Sequence, residues 1–111
     1  MLDRFLESRA VVPGIWLLEI ANALVVGERR GRLREAQTAR FVRLLSDLAI
    51  DVEELGIDSV FGPVLAATRA HQLSAYDAAY LELAARLGLP LATLDDALAQ
   101  AATQAGVPLL E

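Results

Sequence analysis

The pattern of apolar and polar positions along the chain predicts helices separated by short apolar strands. Helical spacing of apolar residues predicts helices over 2–8, 14–30, 33–48, from 58 or 59 to about 71, 74–87 and 95–105. Short apolar or alternating runs predict strands over 10–13, 50–55, 90–94 and 107–111. Strands separated by helices favour an α/β fold, with a mainly parallel sheet flanked by helices in a single domain over residues 1–111. In such sheets the ligand crevice lies beyond the carboxyl ends of the strands.

The helix predicted over residues 14–30 carries an acidic residue in its most apolar part. Its stretch IWLLEIANALVV contains Glu19 and Asn22, which are three residues apart and therefore share a face. Apolar residues lie on nearly every side of this helix, which predicts that it is buried. A buried carboxylate must be paired, protonated or bound to a cation. Glu19 therefore lies either on a narrow polar stripe that faces solvent or an arginine, or in a polar site within the protein.

Two other predicted helices begin with aspartates at a spacing typical of helix caps. Asp77 follows Ser74 by three residues, and Asp96 follows Thr93 by three, with Asp95 beside it. Both spacings fit a capping box, in which side chains bond the free N–H groups of the first turn. Such a cap stabilises a helix by about 1 kcal/mol. Capping alone leaves Asp95 without a role.

A metal site is the second interpretation of these acids. It would account for Glu19, Asp77 and Asp95 together, whereas a plain structural α/β protein with capped helices leaves Glu19 unexplained. Hard oxygen ligands in a chain without cysteine select Mg²⁺ or Mn²⁺, which bind phosphates and activate water. The single histidine, His71, argues against a histidine-based nuclease or a triad hydrolase.

Composition narrows the class of protein. The 111 residues are 55% hydrophobic, which predicts either a generous core or an apolar surface covered by a partner. The absence of cysteine excludes a disulfide scaffold and a zinc–thiolate site. No apolar run is long enough to span a bilayer and no signal peptide is visible, so a cytoplasmic protein without membrane association is expected.

The arginines are distributed unevenly. The net charge is −5, yet all ten basic residues are arginines and six of them fall between Arg29 and Arg43. This cluster is either the solvated face of a helical hairpin or a phosphate-facing rim beside a more acidic centre. Charge alone does not choose between the two.

Three stretches of the chain resemble a known family. VVPGIWLLEIANAL, HQLSAYDAAYLELAARLGLPLATLDDALAQAA and GVPLL are similar to PIN-domain proteins of the VapC toxin type, from about Ala10 to the C-terminus. The resemblance implies a Rossmann-like fold and a Mg²⁺- or Mn²⁺-dependent endoribonuclease that acts as the toxin of a type II toxin–antitoxin system. It also implies a cognate antitoxin protein, an RNA substrate and a homodimer.

The resemblance carries roles to individual positions. The Glu of LLEIAN is Glu19, the Asp of SAYDAAY is Asp77 and the Asp of ATLD is Asp95, and these three are implied as catalytic metal ligands. The supporting positions are Asp96 as an accessory ligand and Asn22, Ser74 and Thr93 as polar neighbours. If the arginine cluster faces phosphates, the candidate RNA contacts are Arg29, Arg30 and Arg32.

The chain departs from the family at its start. The family pattern begins with a strand that ends in Asp-x-Ser or Asp-x-Thr, and neither Asp3 nor Glu7 matches that aspartate. The N-terminal strand and one carboxylate are therefore expected to be missing from this sequence. Two hypotheses follow: a longer chain that supplies the aspartate and cleaves RNA, or a catalytically incomplete PIN domain that binds an antitoxin.

Overall fold

The computed structural model describes residues 10–110, in which two strands form a parallel sheet. Strand β1 (Ala10–Pro13) pairs with β2 (Ile50–Glu53) in parallel register, with Ala10 opposite Ile50. The sequence-based prediction of an α/β fold with parallel strands is confirmed. The helix predicted over residues 2–8 lies outside the described residues.

The helices follow the predicted order. They are α1 (Ile15–Arg29), α2 (Glu35–Ser46), α3 (Ile57–Ser59), a π-helical turn (Val60–Val64), α4 (Leu65–His71), α5 (Ala75–Leu87) and α6 (Asp96–Gln104). Glycines in the left-handed region end two of them as predicted: Gly31 has φ +71° after α1, and Gly88 has φ +66° after α5. These positions favour glycine because a Cβ is strained at positive φ.

The two strands predicted near the C-terminus are reduced to a single bridge, so that prediction is wrong. Leu91 pairs with Leu109 through two hydrogen bonds, from the Leu91 N–H to the Pro108 carbonyl and from the Leu110 N–H to the Leu91 carbonyl, each 2.9 Å long. Pro90 and Pro108 flank this bridge and have no N–H to donate, which stops the ladder from growing.

Helix α5 is the centre of the packing. On one side it joins α6 and the Leu91–Leu109 bridge in a cluster of buried residues: Leu81, Ala84, Leu91, Leu98, Ala101, Ala102 and Val107. On the other side Ala78 and Ala79 pack against Val64 of the π-helical turn. Because Ala78 and Ala79 are small, α5 approaches its neighbours closely. The two clusters together fix where the first turn of α5 lies.

Helices α1 and α2 are far more exposed than their apolar sequences predict. No residue of α1 is buried, and Leu18 is 67% exposed. On α2, Phe41 and Leu44 are 42% and 59% exposed. The prediction that α1 is buried is therefore wrong, because an apolar sequence shows that a surface should be covered without showing what covers it. Among the described helices, none is long and apolar enough to cross a membrane.

Candidate functional site

Asp77 lies in the first turn of α5, where the helix start is held by a side-chain cap. The Ser74 hydroxyl accepts a hydrogen bond from the Asp77 N–H at 3.1 Å, and Ser74 has the extended backbone of an N-cap residue. The predicted cap at Ser74 is confirmed. The positive end of the helix dipole favours a carboxylate at this position.

Asp95 is the N-cap of α6, and this corrects the capping predicted for Thr93 and Asp96. The Asp95 carboxylate accepts a hydrogen bond from the Leu98 N–H at 2.9 Å. Thr93 lies two residues before Asp95, and its hydroxyl accepts a hydrogen bond from the Asp95 N–H at 3.0 Å. Capping therefore does give Asp95 a role, and Thr93 fixes the backbone from which Asp95 projects.

Glu19 lies near the start of α1, which follows directly from the carboxyl end of β1. The Gly14 N–H donates to the Glu53 carbonyl at 2.9 Å, so the sheet pairing continues up to the beginning of the helix. The Glu19 carboxylate is exposed and accepts a hydrogen bond from the Tyr80 hydroxyl of α5. Sequence analysis gave Tyr80 no role, although its position three residues after Asp77 places both on one face of α5.

The negative charges of Glu19 and Asp95 act on Asp77, and these three residues are called here the carboxylate trio. Burial, then the negative charges of Asp95 and Glu19, raise the pKa of the Asp77 carboxyl, while a hydrogen bond with Ser74 lowers it. Burial and the hydrogen bond to Glu19 raise the pKa of the Tyr80 phenol, which therefore stays protonated and donates. Mutual repulsion of carboxylates is what a bound cation relieves.

The carboxylate trio is not a closed ligand shell. Across residues 10–110, no three Asp, Glu, His or Cys side chains lie close enough to hold one metal ion. Their charges are near enough to raise the pKa of Asp77, but the three side chains do not form a single group of metal ligands. The donor chemistry nevertheless suits Mg²⁺, which takes one or two carboxylates and keeps several waters.

The other predicted site residues, apart from the two that cap or precede helices, are exposed. Asn22 and Asp96 are exposed, and the hydrogen bond that Glu19 accepts comes from Tyr80 rather than Asn22. Arg29, ten residues after Glu19 on α1, is about 15 Å farther along the helix axis. Arg30 and Arg32 follow it and are also exposed. These arginines therefore flank the carboxylates at a distance and do not neutralise them.

Two members of the carboxylate trio, Glu19 and Asp95, are exposed, and Asp77 is half-buried. A groove of about 330 Å³ is lined by Ala99, Gln100, Thr103, Gln104 and Leu109, and a smaller apolar one of about 140 Å³ is lined mainly by residues of α1, the π-helical turn and α5. No member of the trio lines either groove. The two exposed carboxylates are accessible to a large substrate as well as to a small one.

Comparison with known proteins identifies the family. The sequence pattern of the PIN domain matches residues 2–104. The chain is also similar to Ribonuclease VapC3 of Pyrobaculum aerophilum, with 34% identity over 82 residues. That alignment covers 74% of this chain, which spans 63% of the length of the relative. With a match over nearly its whole length, the chain belongs to the PIN-domain family, and it is similar to a protein of the VapC type.

Proposed function

We propose that this chain is a Mg²⁺- or Mn²⁺-dependent endoribonuclease and the toxin component of a type II toxin–antitoxin system. The observation that carries the proposal is the acidic setting of Asp77, whose pKa is raised by burial and by the charges of Asp95 and Glu19 at two other helices. The similarity to a protein named as a ribonuclease supports RNA as the substrate.

The chain's own residues have distinct tasks in this proposal. Asp77 and Asp95 hold the cation, with Glu19 beside them and Asp96 as an accessory ligand. When bound, the ion neutralises phosphate charge and activates a water for in-line attack. Ser74 and Thr93 keep the two aspartates in place through the hydrogen bonds at the starts of their helices.

Arginines at the end of α1 are the proposed contacts for the RNA backbone outside the cation site. The exposed side chains at the end of α1 and in the following turn can contact phosphates at some distance from the scissile bond: Arg29, Arg30 and Arg32. Such contacts depend on salt, because each phosphate that is neutralised releases counterions. Asn22, one turn after Glu19, is the nearest polar neighbour of the trio on α1.

A cognate antitoxin and a second copy of the chain are the proposed protein partners. Large apolar side chains are exposed on α1, on α2 and just after α2: Leu17, Leu18, Phe41, Leu44 and Leu48. Exposed apolar side chains in such numbers are typical of surfaces that a partner covers. A partner that covers these side chains would explain why α1 has an apolar sequence but no buried residue.

The exposed apolar surface also favours a second candidate function. In this alternative the chain is a catalytically incomplete PIN domain that binds an antitoxin and does not cleave RNA. It is supported by the lack of a group of three metal-capable side chains within residues 10–110. The two functions differ in whether the carboxylates act on RNA.

Replacement of Asp77 by asparagine tests the proposal. Asp77→Asn should abolish Mg²⁺-dependent cleavage of a fluorescently labelled RNA and weaken Mn²⁺ binding in calorimetric titration. Asp58→Asn, a change of the same kind at an exposed carboxylate of α3, should affect neither. Cleavage that survives Asp77→Asn rejects the proposed site. A wild-type protein that binds an antitoxin but cleaves no RNA with either metal supports the binding module.

A further inference from the structure

Tyr80 links the two helices that carry Glu19 and Asp77. Its hydroxyl donates to the Glu19 carboxylate across a sequence separation of 61 residues, and its ring packs against the buried cluster between α5 and α6. Tyr80 lies three residues after Asp77, on the same face of α5. The ring is therefore fixed by the core while the hydroxyl reaches the carboxylate trio.

Glu19 depends on this contact because packing does not hold it. Its side chain is exposed, and no residue of α1 is buried. Among the hydrogen bonds of the described residues, the one from Tyr80 is the only one that a Glu19 side-chain oxygen accepts. A glutamate without such a bond is free to rotate into solvent.

We infer that Tyr80 is a positioning residue that holds Glu19 beside Asp77 and Asp95 and so raises the affinity of these two aspartates for a divalent cation. The inference rests on the proposed function for its cation, and on the hydrogen bond alone for the placement of Glu19. A partner that orients a metal-binding side chain typically changes metal affinity by about 10- to 100-fold.

Tyr80→Phe tests the inference because it removes the hydroxyl and leaves the packed ring. Calorimetric titration with Mn²⁺ should show binding about tenfold weaker than in the wild type. Tyr76→Phe is the matched control: Tyr76 lies on the same helix, is 60% exposed and donates no hydrogen bond from its hydroxyl within the described part of the chain. Equal Mn²⁺ affinity in Tyr80→Phe and the wild type would overturn the inference.

A double-mutant cycle shows whether Tyr80 acts through Glu19. In a Glu19→Gln background, Tyr80→Phe should weaken Mn²⁺ binding much less than in the wild type. A tenfold loss in both backgrounds would mean that Tyr80 acts by another route, and the inference would fail.

The same four proteins separate this inference from the proposed function. If the wild type binds no Mn²⁺, the metal-dependent function fails, and urea unfolding then measures the coupling between the two residues without any cation. Non-additive changes of the unfolding midpoint would support the placement of Glu19 by Tyr80. Strictly additive changes would refute it.

Discussion

Asp95 both caps α6 and belongs to the carboxylate trio, and two substitutions separate these roles. Asp95→Ala removes the oxygen that accepts from the Leu98 N–H together with the negative charge. Asp95→Asn removes the charge and keeps an oxygen that can accept, because asparagine caps helices as well as aspartate does. The alanine variant should therefore lose stability and cation binding, whereas the asparagine variant should lose cation binding alone.

The size of the stability effect follows from the cap. Loss of an N-cap side chain costs about 1 kcal/mol, which lowers Tm by about 4–8 °C in a domain of this size. In Asp95→Asn, loss of a favourable helix-dipole interaction of about 0.3–1 kcal/mol is offset by relief of the repulsion with Asp77. Its Tm should therefore stay within about 2 °C of the wild type.

Thermal unfolding followed by circular dichroism, without divalent ions, measures these shifts. Calorimetric titration with Mn²⁺ measures cation binding in the same proteins. If Asp95→Asn is destabilised as much as Asp95→Ala, the charge rather than the hydrogen bond holds the start of α6, and the reasoning fails. If Asp95→Asn binds Mn²⁺ as the wild type does, Asp95 is a cap and not a ligand.

Three further substitutions test the electrostatics and the packing. Without divalent ions, Asp77→Asn should be more stable than the wild type at neutral pH. The pKa of Asp77 is raised in the folded state, so the favourable contribution of the protonated carboxyl to stability is full below about pH 4. That contribution is lost as pH rises through the folded-state pKa, whereas asparagine does not titrate. Urea unfolding should show a gap that widens with pH, and a constant gap would contradict this. Leu98→Ala, in the cluster between α5 and α6, should lower the free energy of unfolding by about 2–5 kcal/mol, and a change below about 1 kcal/mol would place Leu98 outside the core. Gly88→Ala should cost about 1–2 kcal/mol in the same assay, since alanine is strained at φ +66°, and an unchanged midpoint would refute that strain.

The sequence predicts the helices well because their ends carry local signals. Ser74 as a cap and Gly31 and Gly88 as helix ends act within a few residues of the boundaries they set. The start of α6 was harder to place, because Thr93, Asp95 and Asp96 are each of a type that occurs at or next to a cap. Only the backbone conformation of Asp95 decides among them.

Local sequence patterns do not predict features that depend on contacts between residues far apart in the chain. The partner of Glu19 is Tyr80, 61 residues away, and no spacing rule connects two positions so far apart. The exposure of α1 was missed for the same reason, since the apolar residues of a helix do not say whether the same chain covers them. That Glu19, Asp77 and Asp95 act together at one site stays a prediction, made from the family resemblance and from strand topology rather than from any single motif.

The three carboxylates lie near the starts of three helices that are held in place by different contacts. α1 follows β1 and contacts α5 through Tyr80, α5 is held by both buried clusters, and α6 is held through Leu98. Genetic drift can therefore silence the site in steps that leave the architecture standing: loss of one hydroxyl frees Glu19, and one smaller core residue displaces Asp95. Lineages under relaxed selection would lose the proposed chemistry before they lose the fold.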